Sequence, residues 1–144
     1  MDLPTLVILT RFMVTELWKL PGPSSARFRE ELHKLGGREC LLTCMFDSDG
    51  TDSFHMTFEG VESFKATYHR ACNGLMIEAY DRIVNVGSTP WLEEVSTQLS
   101  QQGEDNSGLQ HLMFYFDDGP CYEFICRSFQ ARHIGKADQR DHPR

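Results

Sequence analysis

The chain lacks a CxxC pair, and its five cysteines (Cys40, Cys44, Cys72, Cys121 and Cys126) are odd in number. That argues against a disulfide framework or a paired-cysteine zinc module and for a reduced, cytoplasmic setting. Several of these cysteines fall in apolar alternations, where a free thiol acts as a small hydrophobe. No basic leader precedes the first apolar run, and Arg11 and Glu16 interrupt it, so neither a signal peptide nor a membrane span is expected. A glycine-rich phosphate loop, a Gly-x-Ser-x-Gly elbow and a His-Glu-x-x-His helix are all missing. Catalysis therefore has no positive support from motifs. Positive charge is scarce: 14 Lys and Arg stand against 21 Asp and Glu, a net charge of −7. A nucleic-acid binder needs a basic surface to neutralise phosphates, which weighs against that class, whereas an acidic body suits a basic protein partner.

What is present is a globular balance over 144 residues, 40% hydrophobic and 24% charged. It fits one domain over residues 1–130 followed by a flexible tail over residues 131–144, where apolar content falls away. The stretch Leu109–Phe129 is read as the centre of the core. Alternation puts Leu112, Phe114 and Phe116 on one strand face and Tyr122, Phe124 and Cys126 on one face of a second. A hairpin pairing Phe114 with Tyr122 and Leu112 with Phe124 unites the two apolar sets, and Glu123 then points the other way. Glu39–Phe58 reads as a second hairpin, with His55 on the outward face of its second strand.

Helical spacing is read over Thr5–Leu20, where β-branched residues keep a strand open. It is read again over Ser24–Leu35, Gly60–Cys72 and Leu75–Val86, and from Thr89-Pro90 onward. The last has the clearest start: a threonine cap, proline at the first helical position, then Glu93 and Glu94. The expected fold is therefore α+β, a mostly antiparallel sheet of about four strands from two β-hairpins, packed with about five helices. Each hairpin follows a helix and turns at an acidic Asp/Gly tip. The two could be repeated units of one sheet, although such tips are also what turn chemistry selects.

Asp47-Ser48-Asp49-Gly50-Thr51, after an apolar run, resembles the first motif of haloacid-dehalogenase-type phosphatases, which implies a nucleophilic first aspartate and an acid/base second one. Asp117-Asp118 would stand in for that family's magnesium-binding acidic pair. The resemblance covers five residues. The family's lysine has no counterpart, because no Lys or Arg lies between Arg82 and Arg127. The same aspartates offer calcium ligands, but an EF-hand requires Glu where Phe58 stands. His69 and Cys72, three apart, share a face without the further ligands zinc requires. No cofactor is implied.

Two function classes follow. The leading one is a small acidic protein-binding or accessory module, immunity-like in size and charge, engaging a basic protein through Asp47, Asp49, Asp117 and Asp118. The competing one is a small-molecule-binding domain or enzyme with a polar pocket near His55, His111 and Tyr115.

Overall fold

The computed structural model describes residues 14–24, 29–45, 53–117 and 120–134. Nine strands lie among them: β1 (Thr15–Lys19), β2 (Arg29–Leu35), β3 (Glu39–Met45), β4 (Ser53–Glu59), β5 (Ser63–Thr67), β6 (Arg82–Asn85), β7 (Gln110–Tyr115), β8 (Cys121–Cys126) and β9 (Ser128–Ile134). Two α-helices accompany them, the single-turn α1 (Gly74–Ile77) and the longer α2 (Pro90–Gln101). The strands form two antiparallel sheets, one in the order β1-β6-β7-β8-β5 and one in the order β2-β3-β4-β9.

The fold is α+β, but the single four-stranded sheet with five helices is corrected to two sheets, of five and four strands, with two helices among the described residues. The two hairpins exist with the expected partners: Leu112 faces Phe124 and Phe114 faces Tyr122. They belong to different sheets, β3–β4 in one and β7–β8 in the other, so they are not repeats within one sheet.

Stacking of the two sheets makes the core. Leu42, Cys44, Phe54, Met56 and Phe58 from the four-stranded sheet meet Ile83, Leu112, Phe114, Phe124 and Cys126 from the five-stranded sheet. The Phe58 and Phe124 rings lie nearly parallel with centroids 3.9 Å apart. Full burial of each such ring contributes about 1.5–3 kcal/mol, so the phenylalanines help hold the sheets together.

The misread helices have local explanations. Over Leu75–Val86 the apolar residues keep helical spacing, but Asp81 takes a left-handed backbone with φ 57°. That ends the turn begun by α1 and starts β6, where Ile83 faces the inter-sheet core and Val84 the opposite face. Aspartate tolerates this conformation better than most residues. Over Ser24–Leu35 the strand β2 alternates Glu30, Leu32 and Lys34 against Cys44, Leu42 and Cys40. It is an edge strand, and charge on an edge strand discourages pairing with other chains. Its charges therefore mimic a solvated helix face. The β5 segment, also an edge, replaces the helix expected over Gly60–Cys72, with a short 3-10 turn at His69–Ala71 after it.

Of Thr5–Leu20, residues 5–13 lie outside the described residues. The rest contains β1, which pairs with β6 through an irregularity between Glu16 and Trp18. Trp18 packs its ring against Phe54 and Phe114. At the other end of the chain β9 pairs with β4 as far as Ile134, four residues into the stretch read as a tail. No helix among the described residues is long and apolar enough to cross a membrane, and all five cysteines are free.

Candidate functional site

The five-stranded sheet has a second buried face, turned away from the other sheet. Met113, Tyr115 and Cys121 lie on it beneath Met76 and Ala79, with Cys72 packed alongside. Antiparallel registry sets Glu123 of β8 directly opposite Met113 of β7 and Lys65 of β5, and sets His111 opposite Ile125. His111 and Glu123 are thus diagonal neighbours on one face, within reach of each other's side chains.

They use that reach. His111 Nε2 is 2.8 Å from Glu123 Oε1, and His111 Nδ1 is 2.8 Å from Thr89 Oγ1. His111 is 4% exposed and Glu123 2%. Thr89 caps α2, its Oγ1 accepting the Leu92 amide at 3.2 Å. Its hydroxyl proton is then available to His111 Nδ1, and the imidazole donates from Nε2 to the carboxylate. This assignment gives both ring nitrogens and Glu123 Oε1 a partner. The Trp91 ring stands edge-on to the imidazole at 5.1 Å. Glu123 Oε2 has no hydrogen-bond partner. The Lys65 ammonium is 3.9 Å from it, too far for a hydrogen bond, and lies over the Trp91 ring at 4.4 Å from the centroid.

Four residues along β7, Tyr115 occupies the same face. Its hydroxyl is 2.6 Å from His69 Nδ1 in the exposed 3-10 turn, and Tyr80 meets its ring edge-on at 5.9 Å. Burial raises the Tyr115 pKa, with the neighbouring Cys72 and Cys121 adding to it. Burial likewise pushes the Cys121 thiol well above its ordinary range, and the Glu123 charge reinforces the shift. Cys72 is raised by burial too, against hydrogen bonds from the Cys121 backbone and Tyr115 that oppose it. These thiols are held protonated, so a thiolate nucleophile is a poor description of this face.

A third buried aromatic with a polar tip, Tyr122, faces the inter-sheet core and donates its hydroxyl to the Glu30 carboxylate. Burial raises the Glu30 pKa, the Tyr122 hydrogen bond opposes that, and Glu31 adds to it. The protein therefore carries buried polar and aromatic groups at His111, Tyr115 and Tyr122, on the two faces of one sheet.

The sequence-derived candidates separate on this frame. His111 and Tyr115 come together on the covered face. His55 does not join them: it sits half-buried on β4 in the other sheet, between Thr43 and Arg132. Burial lowers its pKa, with Arg132 and His33 contributing. Asp117 is half-buried; it accepts from the Tyr80 hydroxyl at 2.9 Å, and its amide donates to Ser24 Oγ at 2.7 Å. Asp47, Asp49 and Asp118 lie outside the described residues.

The sequence reading missed Glu123 and Trp91 as partners of His111, and Lys65 beside both of them. One signal was available: Glu123 is the only charged residue in the apolar strand Cys121–Cys126 and lies on the His111 face. Asp81 was missed as well. It is buried, with one oxygen accepting the Ser24 amide at 3.1 Å and the other unpartnered. Among the described residues no three His, Cys, Asp or Glu side chains converge as a metal-ligand set. A cleft of about 470 Å³ opens elsewhere, between the β2–β3 turn and β5, lined in part by Lys34, Arg38, Glu62 and Phe64. No protein-family model matches the chain, and no curated protein or solved structure matches it either.

Proposed function

We propose that the protein is a small-molecule-binding domain whose ligand-handling groups are His111, Glu123 and Thr89, with Tyr115 and His69 beside them. The supporting observation is the state of Glu123. A carboxylate this deeply buried costs free energy unless it is hydrogen-bonded, yet one of its oxygens has no donor while the other is fully engaged. A ligand bearing a hydrogen-bond donor would complete the site, and the Thr89–His111 chain keeps the carboxylate oriented for it.

Docking of a basic protein on the acidic tips draws less support. Asp117 is already engaged by Tyr80 through its side chain and by Ser24 through its amide.

The test is a thermal-shift panel of small ammonium, amide, hydroxyl and carboxylate compounds. At least one class is expected to raise the melting temperature of the wild-type protein. The rise should vanish in His111→Ala and Glu123→Gln and persist in His55→Ala, whose site is on the other sheet. A panel with no stabiliser dependent on His111 or Glu123 would overturn the reading.

A further inference from the structure

The ligand class can be narrowed from what now occupies the space beside Glu123 Oε2. The ammonium of Lys65 lies over the Trp91 ring at 4.4 Å and 3.9 Å from the buried oxygen. An aromatic face next to a buried carboxylate is the chemistry that recognises an organic cation: the ring quadrupole attracts the charge and the carboxylate neutralises it. Resting on the binding reading above, we propose that Trp91 and Glu123 form a recess for a primary ammonium ligand, and that Lys65 fills it with its own ammonium until such a ligand displaces it.

Three features favour a displaceable placeholder over a permanent ion pair. Lys65 is the direct cross-strand neighbour of Glu123, tethered to the edge strand β5. Its ammonium stands 3.9 Å from the carboxylate oxygen, about 1 Å beyond a charge-assisted hydrogen bond. A free ammonium carries no such tether and can close that gap. Second, the Lys65 side chain is 49% exposed and sits on an edge strand, so it can swing into water with its hydration restored. Third, Glu123 cannot follow it: the carboxylate is 2% exposed and pinned through Oε1 to His111. Departure of Lys65 would strand a buried negative oxygen, and a cation from solution is the group that resolves it.

The experiment is chemical rescue of Lys65→Ala, with Lys65→Met as a second variant that keeps the stem. Both should melt below wild type. Propylammonium chloride should raise the melting temperature of either variant saturably, while sodium chloride and sodium propionate at equal concentration should not. Half-saturation should fall about tenfold below that of the wild-type protein, where the tethered ammonium competes at high effective concentration. Two controls carry the site assignment: Lys65→Ala/Glu123→Gln and Lys65→Ala/Trp91→Leu, either of which should abolish or strongly weaken the rescue.

Rescue that is unsaturable, or equal in both controls, would overturn the proposal. So would its absence in both lysine variants. If amines fail but the panel yields a different His111-dependent stabiliser, only the ammonium assignment falls. If neither appears, the binding reading falls with it.

Discussion

The two faces of the β7–β8 hairpin are almost equally buried and chemically unlike. One face presents Leu112, Phe114, Phe124 and Cys126 to the other sheet, with Tyr122 at its edge finding Glu30. The opposite face presents His111, Met113, Tyr115, Cys121, Glu123 and Ile125. Burial alone therefore does not explain the polar groups. A face that only needed filling could have been filled like its neighbour, and buried ionisable groups are costly unless every member is satisfied. The contrast sets packing on one side of a strand pair against held polarity on the other.

The largest expected effect tests the packing side. Phe124→Ala removes a ring stacked on Phe58 at 3.9 Å and should cost about 3–5 kcal/mol in chemical unfolding. A loss below about 1 kcal/mol would mean that the sheets close over the gap and that the inter-sheet face is less specific than its geometry suggests.

The next effect tests the polar face. Glu123→Ala leaves the His111 Nε2–H buried without its acceptor and should destabilise by about 1–3 kcal/mol, the cost of a buried polar group left unsatisfied. The double variant His111→Phe/Glu123→Leu removes both polar groups. It should recover most of that loss in equilibrium unfolding, because a matched apolar pair avoids the desolvation penalty. If the double variant is as unstable as the single, the pair is part of the architecture. If it is restored in stability but loses every ligand response, the polarity serves binding, and the comparison between the two faces becomes one of function.

This contrast also explains what was legible in the sequence. Alternation was decisive where strands pair locally: the β7–β8 register and the β3–β4 hairpin can be read from Leu112, Phe114, Phe124 and from Leu42, Cys44, Phe54. The start of α2 was legible because a cap and an N-terminal proline act through neighbouring residues alone. Edge strands were illegible, since the partly buried residues of β2 are only Glu30 and Leu32, and the Glu30 position is decided by Tyr122 far along the chain. The Asp81 turn was illegible for a similar reason, as aspartate carries no obligatory left-handed signal. His111 and Tyr115 could be named as candidates, but Glu123 read as a routine outward charge. Met113, Tyr115 and Ile125 already mark that face as partly buried; what the sequence does not show is that Met76, Ala79 and Trp91 are the side chains that cover it.

A smaller effect tests the hinge between the polar face and its helix. Thr89→Ala removes both the α2 cap and the hydroxyl that serves His111. The cap alone is worth about 1 kcal/mol, and a buried imidazole nitrogen left without its donor adds to it. Thr89→Ser keeps both bonds chemically possible and should restore most of the stability in thermal melts. An alanine variant as stable as wild type would show that water supplies both bonds and that Thr89 is not holding the imidazole in place.

The smallest expected effect belongs to the four-stranded sheet, at His55, and it separates a merely half-buried histidine from the site histidine His111. Burial disfavours the charged His55 ring, and the cationic Arg132 and the neighbouring His33 act in the same direction, so its folded pKa lies below the ordinary 6.5. Between those two values the unfolded chain binds more protons than the folded one, and stability rises with pH. The contribution of this group is therefore complete above 6.5 and is lost as pH falls through the folded value. His55→Asn lacks that titration. Wild type should lose stability relative to the variant on acidification from about pH 8 to about pH 5, and the gap should narrow in an Arg132→Gln background because one opposing charge is gone. Melting temperatures of the four proteins across that range provide the check. A gap that does not depend on Arg132 would assign the shift to burial alone, and a gap of opposite sign would show that the folded protein stabilises the charged ring. Neither change should alter any ligand response that depends on Glu123, because β4 and β8 belong to opposite sheets and His55 faces away from the layer between them.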